Sequence, residues 1–252
     1  MTTPPIDLSS FRPDFTAVII GASGGIGRAL TAALSTHPQC GRTYAFSRSG
    51  QVSGFGDNSR VMQARMDVTV PESISAGFDA CGDNLDLVIC ATGTLHGAGL
   101  SPEKSWRQMD ADAFAQAFAI NTTGPALVAQ QALGRLNRSH KSAFAALSAR
   151  VGSISDNHLG GWHAYRASKA ALNMLIRNLA IELARKNASA LAVGLHPGTV
   201  DTPMSEPFQS NVAEAKLFTP QFSAACLLNV LNGLSNNESG GLYAWDGQSI
   251  PP

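Results

Sequence analysis

The sequence lacks an excess of charge of either sign, with 18 Lys and Arg set against 18 Asp and Glu in 252 residues. That balance argues against the basic footprint of a nucleic-acid binder and the cationic face of a membrane-surface protein. Long apolar runs are missing too, since none approaches the ~18 residues that a membrane helix needs. The opening "MTTPPIDLSSFRPDF" has neither the basic start nor the apolar stretch of a secretory leader. Cysteine is scarce: Cys40, Cys81, Cys90 and Cys226 are scattered without C-x-x-C spacing. Buried thiols in a reducing compartment are expected, rather than disulfides or a zinc site. His37, His96, His140, His158, His163 and His196 show no metal-ligand spacing, so no metal is expected. From these absences a soluble, cytoplasmic protein is expected.

What is present is apolar and periodic. Hydrophobic residues make up 44% of the chain, enough for a substantial core. The length suits one large α/β domain over residues 1–252. Short apolar runs recur at 16–22, 42–48, 60–68, 85–93, 142–149, 191–198 and 240–247, and longer helical patterns fill 26–36, 111–136 and 165–186. Strands that alternate with helices predict a doubly wound parallel sheet of six to seven strands, covered on both faces.

The pattern at 165–186 is apolar almost all round, broken by a stripe of Arg166, Lys169, Asn173 and Arg177. Such a helix is normally buried on more than one side. Together with 111–136 it is expected to form a subunit interface, giving a homodimer or homotetramer.

"VIIGASGGIGRAL" places Gly21, Gly25 and Gly27 where a strand hands over to a helix. Glycines there turn the chain sharply, admit a pyrophosphate to the backbone and aim a helix N-terminus at its charge. An ordinary tight turn would also account for them. Further on, "YRASKAALN" sets Tyr165 and Lys169 on one helix face. An ammonium beside a phenol favours the phenolate and lowers its pKa, so the pair is suited to proton transfer at a carbonyl or hydroxyl.

These two motifs, with "HPGTVDT" near residue 200, resemble the short-chain dehydrogenase/reductase family over essentially the whole chain. "GSISDNHLGGWHAYRASKAALN" and "YAWDGQSIPP" are similar to the branch that holds the sniffer-type carbonyl reductases and the C-factor signalling proteins. The resemblance implies a Rossmann-type fold and a nicotinamide cofactor. It gives the cofactor loop to Gly21, Ser23, Gly25, Ile26 and Gly27, and the adenine contact to Asp67 and Val68. Ala91 and Gly93 fall beside the ribose, where Cys90 replaces the family's first Asn. Pro197, Gly198, Val200 and Thr202 fall in the turn that receives the carboxamide. Tyr165 becomes the general acid of reduction, Lys169 its ribose-binding partner, and Asn121 the holder of a relay water.

The family's catalytic serine falls on Ala149 in strict register, within "LSAR". Ser148 is the nearest hydroxyl and the favoured candidate, with Ser153 and Ser155 in the same loop. After the second strand stand Ser47, Arg48 and Ser49, with no carboxylate to repel a 2′-phosphate. Ser47 and Arg48 therefore favour NADP(H), with NAD(H) as the alternative. The expected function is NADP(H)-dependent hydride transfer to a carbonyl or from a secondary alcohol. The rival is a cofactor-binding signalling protein of C-factor type with little turnover. Residues 203–219 are expected to cover the pocket, and Met204, Phe208, Leu217 and Phe218 suggest an apolar ligand.

Overall fold

The computed structural model describes residues 2–56, 58–97, 99–210 and 212–252. The elements run β1 (Phe15–Ile20), α1 (Gly25–Thr36), β2 (Cys40–Ser47), β3 (Val61–Arg65), α2 (Pro71–Cys81) and β4 (Leu87–Cys90). Then come α3 (Ala111–Phe118), α4 (Gly124–Ala132), β5 (Ser142–Leu147), α5 (His163–Ala184) and β6 (Ala190–His196). The remainder holds β7 (Thr199–Val200), β8 (Leu217–Phe218), α6 (Pro220–Gly233), β9 (Leu242–Ala244) and β10 (Ser249–Ile250).

The main sheet has eight strands in the order β10-β9-β6-β5-β4-β1-β2-β3. Seven are the runs read from the sequence, and all pair in parallel. The eighth is β10, a two-residue antiparallel edge. β1, β4 and β5 are almost continuously buried, because helices cover both faces of the sheet. One core layer joins Ile19, Leu30, Leu34, Val193 and Leu228; the opposite layer joins Val18, Phe46, Phe78, Leu172 and Ile176.

The strand order reverses between β1 and β4, and the carboxyl ends of strands at such a point are where doubly wound folds bind ligands. The long pattern at 111–136 is interrupted by a π-helical turn, Ala119–Thr123. One extra residue per turn there rotates Asn121 inward, the usual context of such bulges being a functional site. The α5 stripe also turns inward in part: Lys169 is buried, whereas Met174 and Ile181 stand exposed. All four cysteines are free and buried. Among the described residues no helix is long and apolar enough to cross a membrane.

β7 pairs with β8, closing the base of an excursion over residues 201–216. This is most of the segment expected at 203–219; its Asn211 lies outside the described residues.

Candidate active site

At the mouth of β1, Gly21 adopts φ +86°, a conformation that side chains disfavour. A Cβ there would stand 3.0 Å from the Ala91 backbone, so the loops after β1 and β4 touch at this point. The Gly21 and Ala22 amides donate to Phe46 O, and Ala91 N donates to Ile20 O. Gly24 caps α1 without any side-chain bond, which leaves the helix start bare. Ser23 is exposed beside it, Gly25 and Ile26 form the first turn, and Gly27 is buried against Gly21. A Cβ on Gly25 would meet Thr202 Cγ2 at 2.6 Å, placing the turn after β6 against this loop.

The far end of the site carries positive charge. Ser47 Oγ donates to Gln51 O at 2.9 Å, while Arg48 next to it is exposed. Asp67 lies two residues past the end of β3. Its carboxylate accepts from Thr69 N and Oγ1, which hold it below the usual range, assisted by Arg48 and Arg65. Val68 is buried against Gly124. Cys90 fills the position of the family's Asn with a buried thiol 3.3 Å from Thr92 Oγ1.

The reacting end gathers on α5. A Cβ on Gly93 would be 3.5 Å from Asn121 Oδ1, 3.6 Å from Lys169 Nζ and 3.7 Å from Met204 Cε. Lys169 Nζ donates to Leu147 O at 2.8 Å and lies 5.8 Å from the Tyr165 ring centre. Burial pulls the lysine down to about 8. The phenol moves opposite to the expectation from the sequence: burial pushes Tyr165 up to about 12. Desolvation is the cause of that rise.

Asn121 is buried near Lys169, with both amide hydrogens and one acceptor site of Oδ1 engaged. It donates to Thr94 O and Ser168 Oγ and accepts from Thr94 N. It thereby clamps the backbone next to Gly93. The three candidate serines also have partners. Ser148 Oγ donates to Asn173 Oδ1 at 2.6 Å, and Ser153 and Ser155 bond the Pro252 carbonyl. Ala149, which the resemblance sets at the catalytic serine, is buried. Beyond these, Pro197 O accepts from Ser223 Oγ, Gly198 has φ +78°, and Val200 is buried.

Sequence reasoning missed Trp162, His96, Glu103 and Asn173. Asn173 belongs to the recognised polar stripe, and Trp162 sits three residues before Tyr165. Nothing in the sequence tied Glu103 to α5.

A bare helix start, a close-packed glycine turn and an adjacent Tyr-Lys pair with a buried lysine thus stand together on a doubly wound sheet. A family model described as short chain dehydrogenase matches residues 15–213, and the chain belongs to that family. The 1-hydroxy-2-glutathionyl-2-methyl-3-butene dehydrogenase of Rhodococcus sp. (strain AD45) is 29% identical over 92% of this chain and 97% of its own length. The C-signal protein of Myxococcus xanthus is 36% identical over 54% of this chain and 77% of its own. The NADPH-bound carbonyl reductase from chicken fatty liver superposes with a TM-score of 0.81 at 26% identity, covering 96% of this chain and all of that one.

Proposed function

We propose that the protein is an NADP(H)-dependent reductase of carbonyl compounds, or a dehydrogenase of the corresponding alcohols. The observation that carries this reading is the buried Lys169 ammonium beside Gly93, one helical turn from Tyr165. Gly21, Ser23, Gly25, Ile26 and Gly27 would hold the pyrophosphate, Asp67 and Val68 the adenine, and Ser47 and Arg48 the 2′-phosphate. Ala91 and Gly93 would line the ribose, with Pro197, Gly198, Val200 and Thr202 at the carboxamide. The fit rests on two features of this chain: a glycine cradle that a Cβ would fill, and an arginine where a carboxylate would repel phosphate. When bound, the nicotinamide supplies or accepts hydride.

Tyr165 gives its phenolic proton to the carbonyl oxygen. A phenol near 12 is fully protonated at neutral pH, the form that reduction needs. Lys169 stabilises the phenolate left behind by its field. Asn121 fixes the Thr94 backbone and, through it, the wall of the site. The bond from Ser148 to Asn173 supports reading Ser148 as a tie between β5 and α5. Tyr165 then acts as the principal donor to the oxygen.

The signalling alternative has two observations in its favour: Ala149 in place of the serine, and the C-signal match. A panel of aldehydes and ketones followed by NADPH absorbance separates the two. Reductase activity that falls about a hundredfold in Tyr165→Phe, the usual scale for a lost general acid, supports the enzyme. Full activity in that variant contradicts it. Exposed Met174 and Ile181 on α5 support a homodimer or homotetramer, and a monomer by light scattering at micromolar concentration would refute that assembly.

A further inference from the structure

Trp162 enters α5 with φ +50°, following Gly160 at +65° and Gly161 at +66°. Glycine adopts this backbone freely, whereas a tryptophan does so only under constraint. The constraint is visible. Trp162 N donates to Glu103 O at 2.6 Å, and the buried Glu103 carboxylate accepts from Ala164 N at 3.2 and 3.4 Å. A backbone held in a disfavoured state beside a reacting group points to a purpose for the side chain it presents.

What it presents is an aromatic seat. The indole stands edge-on to the Tyr165 ring, 6.3 Å between centres at 75°. Phe208 stacks edge-on to the same indole at 5.1 Å and to His96 at 5.6 Å. Trp162 caps α5 and His96 follows β4, so both belong to the body of the fold. Phe208 belongs to the excursion over 201–216, which His96 Nε2 meets at Pro203 O and Met204 O, 3.1 and 3.0 Å away. Met204, four residues before Phe208, brings its Cε to 3.7 Å from where a Cβ on Gly93 would stand. A carbonyl bound over Gly93 would compete with Met204 Cε for the same space, and a shift of the excursion that carries Met204 and Phe208 would bare the faces of Trp162 and His96.

We propose that Trp162 and His96 seat an aryl substituent of the substrate, in the place that Phe208 occupies in this structure. The proposal rests on carbonyl chemistry at Tyr165 and narrows its substrates to aryl aldehydes and ketones. Edge-to-face geometry is what an aryl ring offers and a saturated ring does not.

Acetophenone and cyclohexyl methyl ketone have similar size and differ in the π-system, which makes them the probes. Their dissociation constants are measured by ligand-observed NMR on the full chain, with and without NADP+. Trp162→Gly removes the indole from a backbone that suits glycine, and Phe208→Ala removes the competing ring. The wild type should prefer acetophenone. Trp162→Gly should weaken acetophenone about two- to twelvefold, the scale of one aromatic pair, and leave the saturated ketone unchanged. Phe208→Ala should tighten acetophenone. A structural role would move both variants in the same direction and both ketones alike, and that result overturns the seat, as does equal affinity of the wild type for the two ketones. Failure of NADP+ to bind refutes the cofactor reading instead, while the ketone arms still decide the seat.

Discussion

The loop after β1 and the loop before α5 both end at a helix N-terminus, yet they differ in how their geometry is fixed. The first is set by short-range sterics: Gly21 at positive φ, Gly27 against Gly21, and two amides on Phe46 O. The second is set by distant partners. Ser148 is tied to Asn173, Ser153 and Ser155 to Pro252, and Trp162 to Glu103. A loop of the first kind announces itself in the sequence, because only certain residues can occupy it. A loop of the second kind takes its conformation from chain elements dozens of residues away.

The sharpest way to break this contrast is at Ala149. If the family position, rather than Ser148, faces the substrate oxygen, Ala149→Ser adds an oxyanion donor, and one such donor is typically worth 10²–10³ in rate. We expect kcat to rise by at least about tenfold, read from NADPH absorbance on a substrate the wild type reduces. In the same assay Ser148→Ala should leave kcat within about threefold and lower stability by about 1 kcal/mol, as loss of one hydrogen bond does. If Ser148→Ala instead abolishes turnover, Ser148 is the donor and its bond to Asn173 rearranges in the working enzyme.

At the other end of the site, Arg48→Asp should shift the ratio of NADPH to NADH dissociation constants by about tenfold or more, the scale of a charge-assisted hydrogen bond. An unchanged ratio would remove Arg48 from the 2′-phosphate.

The smallest effect concerns stability. Lys169 is buried with its ammonium on one carbonyl and its pKa lowered from 10.5 to about 8. Between those values the unfolded chain holds a proton that the folded chain has released, so stability rises with pH from about 8 to 10.5. Lys169→Met should remove its share of that slope, leaving that of Lys141, which burial also lowers to about 8. It should melt at an equal or higher temperature at pH 7, since a buried charge is lost. A lower melting temperature would show that the Leu147 carbonyl bond outweighs the desolvation.

The strands were legible because a parallel sheet buried on both faces needs unbroken apolar runs, which stand out at β1, β4 and β6. Two helices were not. α6 buries nine of its residues and carries no charge, and its few unburied polar positions, Gln221, Asn229 and Asn232, are too sparse to reveal a period. α2 starts at Pro71 and contains Gly77, whose missing Cβ admits Met66 and Phe46. The π-turn at Asn121 follows from how α3 and α4 meet α5, which no local pattern records. The shift of Tyr165 was read in the wrong direction for a related reason: helical spacing brings Lys169 near, but the burial that raises the phenol comes from the tertiary environment. The glycines and the Tyr-Lys pair, by contrast, were legible because their chemistry is local.

The central claim is that Tyr165 protonates a carbonyl while hydride arrives from NADPH. Its most direct test supplies 4-deuterated NADPH and a ketone to the wild type and to Tyr165→Phe, following deuterium at the product carbinol carbon. The account predicts deuterium in the wild-type product and a rate about a hundredfold lower in the variant, with NADPH affinity unchanged. Wild-type product without deuterium, or deuterated product formed at equal rates by both proteins, would contradict it.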